Sequence, residues 1–223
     1  MRYPNARFGI KILHHEAIAS MIFALVSLIE IVCAIFDAAE IINKIVRVLV
    51  ILALILSLVD TILKMFGILK AALDEPIFYK AFYVIAFCAL FEILGTFIDI
   101  IYEKEELLIY IMATLADISS AFVIVSVIGG ISIIFRKANV VNPTANYKKM
   151  CICIIAISTL AVLLDLFPLI IPTTNQTLKI IFSAFGIISA TIEVLIYLNF
   201  QLYLKRVEKI IEKIPKEEKV ESA

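Results

Sequence analysis

The chain has no tryptophan, two histidines, six glycines and six prolines in 223 residues. Each scarcity removes a class of function. The two histidines are adjacent, His14 and His15, and precede the first apolar run. No imidazole base is therefore available to activate Ser158 or any other hydroxyl within the apolar runs, and a serine-type hydrolase has no support. Adjacent helical residues diverge by about 100°, so His14, His15 and Glu16 make a poor metal claw and read as a solvated pair beside the membrane. No P-loop or dinucleotide fingerprint is present. Lys and Arg total 20, as do Asp and Glu, so no net field recruits nucleic acid. The four cysteines, Cys33, Cys88, Cys151 and Cys153, fall inside apolar runs or at the start of one. They read as reduced, small, buried residues rather than a disulfide set, and Cys151-x-Cys153 lacks zinc-site spacing.

What is abundant is apolar sequence. Hydrophobic residues make up 63% of the chain and the mean hydropathy is +1.06, the composition of a membrane protein. About 20 apolar residues cross the roughly 30 Å hydrocarbon core as a helix. Six runs reach that length: Ala17–Phe36, Val46–Leu69, Ala81–Tyr102, Leu107–Phe135, Met150–Ile171 and Lys179–Leu204. The first is too long for a signal-peptide core and lacks a small-residue cleavage site, so it is expected to remain as a span. Residues 1–15 form a short lead, with Phe8 and Ile12 one turn apart on a brief interfacial helix. The fourth run is long enough that it either tilts or bends at Gly129–Gly130. In the absence of tryptophan, Tyr79, Tyr83, Tyr102, Tyr110, Tyr147 and Tyr203 supply the interfacial aromatic belt.

Basic residues concentrate in the amino-terminal lead, the second–third loop, the fourth–fifth loop and the tail. The positive-inside rule then places both termini in the cytoplasm, as an even number of spans requires. The expectation is an all-α integral membrane bundle of six transmembrane helices, occupying residues 1–204. Residues 205–223 form a cytoplasmic tail whose Val207, Ile210, Ile211 and Ile214 make an interfacial stripe before Pro215. The spans pair into candidate helical hairpins at about residues 15–70, 77–136 and 147–204. Glu30 and Asp37 recur at identical spacing as Glu92 and Asp99, and Asp165 stands at the matching depth of the third hairpin, followed by Pro172. All three hairpins start on one side, which makes any repeat parallel rather than inverted.

Each span carries an acid, and these acids are the candidate site. The six deepest are Glu30, Asp60, Glu92, Asp117, Asp165 and Glu193, against one ammonium, Lys64, which stands one turn after Asp60. A carboxylate facing lipid costs about 2.5–3.5 kcal/mol on insertion scales. Small and polar neighbours accompany them in stripes that are expected to face other helices, among them Ser20 and Ser27, Gly67, Cys88, Ser120 and Ala121, and Ser189, Ala190 and Tyr197. Glu30, Glu92 and Asp165 would form an outer cluster, with Asp60, Asp117 and Glu193 nearer the middle.

Two functions fit this pattern. The first is a small transporter or channel-like protein that handles a proton or a hard cation with intramembrane carboxylates. The alternative is a non-transporting scaffold, partner subunit or lipid-interacting protein in which the acids are hydrogen-bonded packing groups. Neither is an enzyme, and neither needs a cofactor; the identity of any bound metal stays open. The partners are the lipid bilayer and a proton or cation, with an oligomer or partner subunit also open, and the location is the cell membrane.

Overall fold

A computed structural model describes residues 3–35, 48–49, 59–101, 106–141, 147–170 and 176–214. Among them the chain is helical, without strands. The helices are α1 (Pro4–Ile35), α2 (residues 59–72), α3 (Phe78–Ile101), α4 (Glu106–Lys137), α5 (Tyr147–Ile170) and α6 (Gln176–Glu212). Among the described residues three stretches are long and apolar enough to cross a membrane: Pro4–Cys33, Ile118–Lys137 and Ser183–Glu212. Phe78–Phe91 and Lys149–Leu160 are shorter apolar helical stretches. The amino-terminal part of span two, the link after span one and the loop around Asn142-Pro143 lie outside the described residues.

The helices alternate in direction, and one end of the bundle gathers the starts of α1, α3 and α5 with the ends of α2, α4 and α6. That end is closely packed. Ala6, Ile10, Leu13 and Ala17 recur on one face of α1 and are buried together with Ile68, Phe78, Ile131, Phe135, Leu204 and Val207. This differs from the sequence expectation at both ends of the chain. Residues 4–13 are the first turns of a continuous helix packed into the core, not a separate interfacial helix. Val207, Ile211 and Ile214 are buried in the core as well, not laid on a surface. The apolar stripe finds a protein partner because α1 runs alongside α6.

Short polar contacts close this end. Pro4 opens α1, where a missing N–H costs nothing. The carboxylate of Asp74, in the α2–α3 turn, accepts from Asn5 Nδ2 at 2.9 Å and from the backbone N–H of Ala6 at 2.8 Å. It caps a helix start from another part of the chain, as a local Asp would. The next residue, Glu75, is buried and accepts from Lys137 Nζ at 2.6 Å. Helix α4 ends in a Schellman turn. Val140 N–H donates to Phe135 O at 2.9 Å and Asn139 N–H to Arg136 O at 3.3 Å, with Asn139 at φ 54°, a left-handed conformation that Asn tolerates.

Glycines set the close approaches. A Cβ on Gly9 would stand 2.8 Å from Ala71 N, so α1 and α2 meet backbone to backbone there. Helix α4 runs unbroken through Gly129–Gly130. Gly130 makes room for the buried ring of Phe78, which a Cβ would meet at 2.8 Å, whereas a Cβ on Gly129 meets nothing within 4 Å. Likewise α5 continues past Pro168 to Ile170. Away from the packed end the outer surface is greasy: Ile62, Tyr83, Phe87, Ile152, Leu163 and Ile180 are each more than half exposed.

Candidate functional site

The buried polar centre lies between α1 and α2. Glu16 comes from the inward side of α1, next to Ala17, and is 2% exposed. Ser20 stands one turn further on, so both side chains reach the same neighbour. From α2 come Asp60 and, one turn later, Lys64. The Lys64 ammonium lies 2.6 Å from Glu16 Oε1 and 3.9 Å from Asp60 Oδ2. The Ser20 hydroxyl donates to Glu16 Oε1 at 2.7 Å and stands 3.1 Å from Asp60 Oδ2. Asp60 is 6% exposed, and its Oδ1 is buried without a hydrogen-bond partner among the described residues.

The counter-charge that spacing assigned to Asp60 is therefore shared, and Glu16 is the nearer acid. Two buried carboxylates face one part-buried ammonium, and an unbalanced charge at such a site is costly. Hydrogen-bond counting gives the same deficit. Ser20 owns one hydroxyl proton and lies within reach of two carboxylates. If that proton goes to Glu16, the contact between Ser20 and Asp60 needs a proton on Asp60.

Beyond Lys64 the cluster opens on a cavity of about 10 Å³, walled by Leu13, Glu16, Lys64, Ser120, Tyr197 and Phe200 among others. It has room for about one water molecule. On its far wall, Ser120 Oγ and the Tyr197 hydroxyl are 3.2 Å apart and join α4 to α6. Toward the packed end the polar seam continues between α1 and α6. Gln201 Nε2 donates to His14 Nε2 at 2.8 Å, and His14 Nδ1 is 3.9 Å from Glu208. Arg7 pairs with Glu212 at 2.7 Å. His14 is thus a part-buried, partnered residue rather than a solvated one, while His15 is exposed.

Of the six acids singled out by sequence, the structure places Asp60 in this cluster. Glu193 is half-buried on α6, one turn before Tyr197, and does not line the cavity. Glu30, Glu92, Asp117 and Asp165 lie on α1, α3, α4 and α5, but their side chains fall outside the described residues. Glu16 was missed as a site residue. Its signal was its i, i+4 spacing to Ser20, one residue before the first apolar run. Among the described residues no group of three or more His, Cys, Asp and Glu is arranged to hold a metal ion. The cysteines are free; Cys88 is buried, but Cys153 is exposed, contrary to its expected burial. Comparison with protein-family models, with curated proteins and with solved structures finds no match.

Proposed function

We propose that this chain is a six-span, multi-pass integral membrane protein with both termini cytoplasmic, and that it handles a proton or small cation through Glu16, Asp60 and Lys64. The membrane part is supported by the three long apolar helices, the greasy outer surface and the collection of basic residues at one end of the bundle. The single observation behind the proton part is the charge deficit of the cluster. One part-buried ammonium serves two buried carboxylates, and one Asp60 oxygen has no hydrogen-bond partner among the described residues.

A proton on Asp60, or a small cation against Oδ1, completes the cluster. Lys64 holds Glu16 in place, and Ser20 bridges the two acids. His14, Gln201 and Glu208 form the step between the cluster and the basic end of the bundle. On this reading the chain transfers a charge and catalyses no covalent reaction. The three-hairpin repeat belongs to the same proposal, with one acid-bearing pair of helices per unit.

The second reading, a non-transporting membrane scaffold, is favoured by the size of the cavity. A space for one water is a tight fit for anything but a proton, and the cluster then serves as packing between α1 and α2.

Thermal stability of the detergent-purified protein, scanned against pH and a panel of cations, separates the two. A ligand at a hundred times its Kd stabilises by about 2.7 kcal/mol. A rise with one cation, or with acidification alone, that vanishes in Asp60→Asn supports charge handling. A flat response in the parent, with the variant equally stable, supports the scaffold.

A further inference from the structure

Helix α4 has a second polar face, turned away from the buried cluster. At about 100° per residue, Ser120, Val123, Ile124 and Val127 fall on the side facing the cavity, and Ser126, Gly129, Ile133 and Arg136 fall opposite. With Ser132 from α4 and Lys80 from the first turn of α3, they line an open groove of about 410 Å³ on the outside of the α3–α4 pair. Lys80 and Arg136 are both exposed, and neither makes an ion pair with a described residue. Their neighbour Lys137 is by contrast committed to Glu75. The floor at Gly129 is empty, since a Cβ there meets nothing within 4 Å.

We infer that this groove binds an anionic phospholipid, with the phosphate against Lys80 and Arg136 and an acyl chain along Gly129 towards Ser126. Three features select this occupant. Two cations that make no ion pair with a described residue stand side by side on one groove and favour an anion there. They stand at the basic end of the bundle, where the positive-inside rule puts the cytoplasmic headgroups, and basic pockets between membrane helices at that level suit anionic lipid headgroups. The ten helical steps from Arg136 to Ser126 rise about 15 Å, half of the roughly 30 Å hydrocarbon core and so the depth of one leaflet. A free phosphate would use the charges but leave the trough below them empty. The assignment rests on the membrane reading above, and its test keeps the two separable.

The full chain is first extracted from membranes with alkaline carbonate, then purified, delipidated and offered phosphatidylglycerol or phosphatidylcholine of the same acyl chains. Bound lipid is counted by native mass spectrometry, and inorganic phosphate is added as a competitor. Two variants accompany the parent: Lys80→Gln with Arg136→Gln, which removes the charges at exposed positions, and Gly129→Leu, which fills the trough while leaving the charges. Both are checked for parental helicity and elution. The expected result is a preference of at least about tenfold for phosphatidylglycerol, lost in both variants and little affected by millimolar phosphate. Equal retention of the two lipids, or a preference that survives both variants, overturns the inference while leaving the membrane reading standing. Displacement of the lipid by phosphate at equal concentration assigns the cations to a free anion and also overturns it. Release of the parent by carbonate overturns both the membrane reading and the lipid site.

Discussion

The two sides of α4 solve the problem of charge in opposite ways. On one side Lys64 is drawn into the interior and held 2.6 Å from Glu16, with Ser20 and Asp60 packed around the pair. On the other side Lys80 and Arg136 stand exposed beside an open trough. The inner cluster is short of positive charge and has almost no free space; the outer groove has positive charge to spare and ample space. Burial explains the contrast. An ammonium that gives up water must find carboxylates at short range, whereas one at a surface keeps its hydration until an anion arrives. On the two proposals above, the cluster between α1 and α2 would take a small positive charge and the groove of the α3–α4 pair a large anion.

The comparison can be broken most sharply at Lys64. Lys64→Met leaves Glu16 and Asp60 buried without an ammonium and is expected to lower stability by about 3–5 kcal/mol, while Lys64→Met combined with Glu16→Leu recovers part of it, because a buried pair replaced as a unit is often neutral. Chemical denaturation in detergent reads both. Next come the glycines of the packed end. Gly9→Val drives a side chain into the α2 backbone, and Gly130→Ala drives a methyl into the Phe78 ring; each is expected to cost about 1–3 kcal/mol as overpacking. One position earlier the sign reverses. Gly129→Ala adds its methyl to open space in a helix and is expected to gain about 0.5–1 kcal/mol, seen as a higher melting temperature. The smallest effect is at the rim: Arg7→Gln removes a largely exposed pair with Glu212, and a loss of about 0–1 kcal/mol is expected.

Sequence pattern reached the all-helical character of the described residues and part of their inward faces. Small and polar stripes mark buried positions at Gly67, Cys88, Ala121, Ser189 and Ala190, because close helix contacts favour small residues. Ser27 broke the rule and is exposed. The i, i+4 relation of Asp60 to Lys64 was legible because it is local. Glu16 was not, since its partner is 48 residues away on another helix, and an acid just ahead of an apolar run looks like a solvated entry. His14 was misread for the same reason: only the packing of α6 against α1 brings Gln201 to it. Gly129–Gly130 offered a place to bend if the long fourth run did not simply tilt, yet one glycine houses a phenyl ring and the other opens a groove. Two adjacent identical residues cannot announce such different neighbours.

The central claim is that the Glu16–Asp60–Lys64 cluster handles an exchangeable positive charge, and proton flux in proteoliposomes tests it most directly. An imposed pH gradient is followed with an entrapped dye for the parent, for Asp60→Asn and for protein-free vesicles. The expected result is dissipation by the parent well above the protein-free rate, reduced at least about tenfold in Asp60→Asn with reconstitution unchanged. A parent no faster than empty vesicles, with or without added cations, or an Asp60→Asn variant as fast as the parent, would contradict it.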